Sequence, residues 1–169
     1  SNPQPLTPNP NLASIILNLT LTFPILYQVQ VHIIEARDLK AENLDGTSDP
    51  VVYVEAFDQK LNTKVIYSTI NCVFDEVLIF HIKGMSKETF EDGIICVSVY
   101  DANSIPGMKN TMIGSFATDA TSVYFQKDHE MYRKWVPLMD EEDEDDVGVQ
   151  GYLKISVQVV GPGEKLKVH

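Results

Sequence analysis

Cysteine is scarce in this 169-residue chain: Cys72 and Cys96 are the whole supply. Two thiols are too few for a disulfide framework in a chain of this length, so both are read as buried and reduced, in a cytosolic compartment. Basic residues are also short, 13 against 24 acidic, for a net charge of −11. A surface of that sign does not wrap nucleic acid, which needs a basic face. Long apolar runs are missing. The longest, 12–26, is broken by Asn18, Thr20, Thr22 and Pro24, and is too short and polar to cross a bilayer. The N-terminus, Ser-Asn-Pro-Gln-Pro-Leu-Thr-Pro-Asn-Pro, has no basic start and does not read as a secretory leader. Catalytic signatures are absent too: there is no nucleophile elbow, phosphate loop or zinc spacing. His32, His81, His129 and His169 are scattered, the first two on expected strands facing solvent. Cys96 lies in the apolar run Ile-Ile-Cys-Val-Ser-Val, where a thiol is inert. An enzyme is not expected.

What remains is a globular balance, 44% apolar and 22% charged. The charge is uneven. Asp140–Asp146 is seven consecutive acids, and without it 13 basic residues face 17 acidic ones, a balance of −4. The run reads as a solvated loop between the last two strands, or more sharply as a docking strip for a basic partner. Residues 1–26 hold four prolines and three asparagines in their first eleven positions, a linker composition, with room for an extra strand over Leu12–Phe23.

From Tyr27 the period becomes two: Tyr27, Val29, Val31 and Ile33 face one way and Gln28, Gln30 and His32 the other. Further short strands are expected at Val51–Ala56, Thr63–Thr69, Asp75–Ile82, Gly93–Tyr100, Met112–Ala117, Arg133–Leu138 and Tyr152–Val160. Eight strands separated by turn signals predict an all-β, eight-stranded antiparallel sandwich. Two short helical turns fit beside it, one capped by Ser86 and ending near Glu91, one starting at Asp119 or Thr121 and ending near Gln126. Trp135 reads as a core or edge anchor.

Three stretches carry a family resemblance. Ala36–Val54 (ARDLKAENLDGTSDPVVYV) resembles the first strand, first loop and second strand of a C2 domain, whose loop typically ends in Gly-x-Ser-Asp-Pro-Tyr-Val. Asn71–Glu76 resembles the turn that opens that family's fourth strand. Val99-Tyr100-Asp101 with Ile113-Gly114 resembles its third loop. The element TSVYFQ…H…RKW, followed by a Gly-Tyr strand ending in VVGPGE, is similar to the second-position C2 domain of ferlins, over 27–164, with 165–169 as a tail.

The resemblance implies a Greek-key sandwich of type II topology. It also implies a piece of a larger, tail-anchored protein of membrane traffic and vesicle fusion, on the cytoplasmic face of a membrane, the piece itself being soluble and monomeric. The family's calcium site uses five acidic positions on two loops. They fall here on Asn43, Asp49, Asp101, Asn103 and a position at Asn110 or Thr111: two acids, two amides and one neutral group. Calcium takes six to eight oxygens, and carboxylate count sets much of the affinity, so weak calcium at most is expected and no other cofactor. Asp38, Glu42 and Asp45 lie near enough to compensate. Asp49, just before Pro50, reads equally as a weak ligand or as a brace for local backbone amides. Leu44, Ile105 and Met108 sit at loop tips, either to dip into a headgroup layer or to fold back and be buried. Lys60 and Lys64 mark the region where C2 domains often carry a basic patch for anionic lipids; two lysines make it thin. The expected partners are membrane phospholipid, weakly bound, or other proteins. The competing reading is a calcium-dependent module that inserts its loops into anionic membranes.

Overall fold

A computed structural model describes residues 26–103, 105, 107–140 and 148–169. The expected strand over Leu12–Phe23 and all but the first residue of the acidic run lie outside the described residues.

Eight strands form: β1 (Leu26–Arg37), β2 (Pro50–Ala56), β3 (Gln59–Asn62), β4 (Cys72–Lys83), β5 (Ile94–Asp101), β6 (Thr111–Asp119), β7 (Glu130–Met139) and β8 (Val149–Val160). Their order is β3-β2-β5-β6-β7-β8-β1-β4, every pair antiparallel. The sheet turns a corner between β6 and β7, where the pairing shrinks to Ser115 opposite Met139. This splits it into two four-stranded halves that face each other, an eight-stranded sandwich as expected. Gly114 sits at the corner because the strands approach so closely there: a Cβ would stand 3.1 Å from Leu138 Cβ.

The inward residues of both halves make one core. Val29, Val31, Ile33, Phe80, Leu153 and Ile155 face Val52, Val54, Ile95, Val97 and Val99, all at most 1% exposed. The alternation read from Tyr27 holds up to Ile33. There a bulge opposite Asp75 (φ 49°) lets Ile33 and Ile34 both turn inward.

The third strand differs from expectation. It is Gln59–Asn62, directly after a two-residue turn at Phe57-Asp58, and Thr63–Thr69 is not a strand. Thr63 ends the ladder because its hydroxyl takes over: Oγ1 accepts the Val52 amide at 3.0 Å and donates to the Lys64 carbonyl at 3.0 Å. Beyond it the chain stays beside β2 through isolated bonds, Ile66 N–H to Pro50 O and Thr69 N–H to Ser48 O.

Helix α1 (Lys87–Glu91) is capped as expected, with Ser86 Oγ accepting the Thr89 amide. Helix α2 (Ala120–Tyr124) stops two residues short of Gln126. Asp119 holds its cap position without bonding a helix amide and accepts from Ser122 Oγ instead. A 3₁₀ turn (Lys127–His129) follows.

Candidate functional site

The loop after β1 (residues 38–49) and the loop after β5 (residues 102–110) meet at one end of the sandwich. The first is organised by its own polar groups. Ser48, fully buried, accepts the Glu42 amide at 2.9 Å and donates to the Lys40 carbonyl at 2.8 Å. Asp45 closes the tip, accepting both the amide and the hydroxyl of Thr47, which hold its carboxyl below the usual carboxylate range. Asn43 contributes backbone: its N–H donates to Thr47 O and its carbonyl accepts from Gly46. Asn71 Oδ1 accepts the Asp38 amide, so the turn before β4 anchors the loop's root.

The two remaining acids are brought together, and both act as braces. Asp101 Oδ1 accepts the Asp49 amide at 2.6 Å, and Asp49 Oδ1 accepts the Ser68 amide at 2.7 Å. The Asp49 carbonyl accepts from Ala102, locking one loop to the other. Asn110 is the fifth-position residue that turns in: its Oδ1 accepts the Asn103 amide, and Asn103 Oδ1 accepts that of Ile105. Thr111 stands exposed in the β5–β6 ladder opposite Asp101. Among the described residues no three acidic, histidine or cysteine groups converge on a metal-sized space. Glu42 has a buried oxygen with no hydrogen bond, but the Lys40 ammonium, 3.7 Å away, already balances its charge. Asp49, Asp101, Asn103 and Asn110 thus each commit one oxygen to a backbone N–H.

The loop tips stand out from this frame. Leu44 is fully exposed, and Ile105 and Met108 are 58% and 57% exposed, so none of them folds back into the core. The lysine pair is less available. Lys60 lies in β3, 2.5 Å from Glu55 and above the Tyr53 ring, and Glu55 pushes its ammonium pKa up. Lys64 lies beyond the strand, exposed, with the Glu76 carboxylate on its own amide. Each lysine therefore has an acid beside it.

Two features were not settled by the sequence reading. Of the two readings of Trp135, core or edge, the core one fails: it is 45% exposed on the outer face of β7, with Lys154 Nζ 5.3 Å from its ring centroid. Lys154 and Arg37 both pair with Glu35, at 3.3 and 2.9 Å. The segment after β8 is also fastened. Glu164 accepts from the Gly161 amide and from the Tyr124 hydroxyl, and His129 stacks on Tyr124. Lys167 pairs with Asp128, and His169 with Glu130. Of these, Tyr124, His129, Gly161 and Glu164 fall in the quoted TSVYFQ…H and GPGE stretches, so that pattern encodes a clasp. The cysteines are half-buried rather than buried, and burial pushes the Cys72 thiol up to about 11, away from nucleophilic use.

Residues 27–138 match the family described as C2 domain. The chain is 32% identical over 139 residues to myoferlin of Homo sapiens, covering 82% of this chain and 6% of that protein. It is 34% identical over 148 residues to Ferlin 2 of Tetrahymena thermophila, covering 85% and 8%. It thus spans a small part of the length of each relative. Among solved structures, a C2 domain of plant Extended Synaptotagmin 1 superposes with a TM-score of 0.65 at 18% identity, covering 81% of this chain and 96% of that one, a likeness of fold.

Proposed function

This chain belongs to the C2 domain family, and from that membership we propose a non-catalytic, calcium-independent module of a ferlin-like membrane-trafficking protein. It works at the cytoplasmic face of a membrane, through contact with lipid or with other proteins. The observation that carries the reading is the use of Asp49 and Asp101 as braces. Where a calcium-triggered domain keeps a cluster of charged, unsatisfied oxygens, this one holds two acids whose oxygens already order Ser68 and Asp49. The loops are shaped before any ion arrives, and Leu44, Ile105 and Met108 are already presented.

Those exposed tips favour lipid as the surface met first, since apolar side chains on polar loops suit shallow burial in a headgroup layer. The test is calcium titration by calorimetry, beside co-sedimentation with phospholipid vesicles in calcium and in chelator. The expected result is no micromolar calcium binding and equal sedimentation in both buffers. Micromolar calcium binding, or sedimentation only with calcium, overturns the reading in favour of a calcium-dependent insertion module.

A further inference from the structure

The outer face of the β8–β1–β4 half carries a second feature, distant in kind from the loops. Between this face and the segment 166–169 lies a cavity of about 530 Å³. Its floor is polar: Gln30, His32, Ser156 and Gln158 project from adjacent strands, placed side by side by the pairing of Gln30 with Gln158 and of His32 with Ser156. Gln158 is 5% exposed, and its Nε2 has no hydrogen-bond partner. A buried amide nitrogen left unpaired is destabilising, so a partner for it is to be sought in what the cavity can hold.

The other polar groups show what the cavity lacks. Arg133 borders it with no ion-pair partner among the described residues. Ser156 Oγ accepts the Arg133 amide at 2.9 Å, which leaves its own proton free to donate. Glu130, the one acid in the lining, is held by His169, and His32 by Asp75. Donors therefore converge on the cavity, and its one side-chain carboxylate is already met. Val77, Leu166 and Val168 give it apolar sides. The volume suits a ligand larger than a bare anion.

We propose that this cavity binds a phosphate-bearing ligand of headgroup size, with Arg133 and the Ser156 hydroxyl on the phosphate and Gln158 Nε2 donating to one of the ligand's oxygens. The proposal is independent of the loops and of calcium. The shared chemistry is a phosphoester, carried by a lipid headgroup or by a soluble phosphorylated molecule.

The test uses the whole chain with three probes: inorganic phosphate, inositol hexakisphosphate, and phosphatidylcholine vesicles with and without phosphatidylinositol bisphosphate. Binding and thermal stability are measured for wild type, Gln158→Leu, Arg133→Gln and a distant charge control, Lys83→Gln/Lys87→Gln. Gln158→Leu removes the orphaned amide, so the free protein becomes more stable while binding weakens about tenfold or more. Arg133→Gln weakens binding about tenfold with little change in free stability. The control binds as wild type. Binding of the soluble probe assigns a free ligand. Binding only of vesicles bearing the bisphosphate, lost in Gln158→Leu, assigns a headgroup. Failure of every probe at millimolar concentration, or unchanged binding in both cavity variants, overturns the site.

Discussion

At the scale of single residues, the loops are shaped by side chains that bond backbone. Asp101 is the clearest case, its carboxylate accepting the Asp49 amide across the two loops. A hydrogen bond to a charged acceptor is worth about 1.5–3 kcal/mol. Asp101→Ala is therefore expected to lower urea stability by roughly that amount, equally in calcium and in chelator. A cost that appears only in calcium would identify Asp101 as a ligand instead. Gly151 makes a steric prediction. Its φ is +141°, and a Cβ there would stand 2.9 Å from Leu39 Cα, so Gly151→Ala forces β8 and the root of the first loop apart. About 1–3 kcal/mol of destabilisation in denaturant titration is expected. A bracing role for Asp49 was one of the two readings the sequence allowed, because an acid just before Pro50 suits the bonding of local amides. The direction of Trp135 was not legible there. Arg-Lys-Trp-Val-Pro-Leu puts apolar groups on both faces of a strand, and the bulge before it, with Arg133 at φ 48°, resets which face each takes.

At the scale of elements, seven of the eight expected strands stand where the alternation and turn signals put them. The third was misplaced because Thr63–Thr69 has strand-like composition while the turn at Phe57-Asp58 starts the return strand at once. Propensity counted residues; the side-chain bonds of Thr63 decided where the ladder ends. The clasp of Glu164 onto Gly161 and Tyr124 joins residues 40 apart or only three, and no alternation signals it. It does make a pH prediction. The Gly161 amide favours the charged carboxylate and holds the Glu164 pKa below its ordinary 4.5. A depressed folded pKa contributes stability above the unfolded value, and that contribution is lost as pH falls through the folded value. Wild type should lose stability more steeply than Glu164→Gln as pH drops from about 5 to about 3. The group is a third exposed, so the difference is small, below about 1 kcal/mol. Parallel profiles would remove the clasp as a source of acid sensitivity.

At the scale of the whole molecule, charge and apolar tips act in opposite directions. The chain carries −11, seven of its acids in the run 140–146, and the lysines of the third-strand region are offset by Glu55 and Glu76. Leu44, Ile105 and Met108 project from the end of the sandwich where β1 stops and β8 starts, since Arg37 pairs with Tyr152. An anionic membrane approached by this end attracts the tips and repels the field behind them. Salt screens the repulsion, with a Debye length near 10 Å at about 0.1 M, and leaves apolar burial intact. Association with phosphatidylserine vesicles is therefore expected to strengthen as salt rises from about 0.05 to about 0.5 M, the reverse of a basic-patch domain. Leu44→Ser/Ile105→Ser/Met108→Ser should weaken it at every salt concentration by about tenfold or more, a modest share of what full burial of three such side chains would supply. Binding that falls with salt and survives the triple substitution would place the membrane contact on the basic residues around Trp135 and not on the loops.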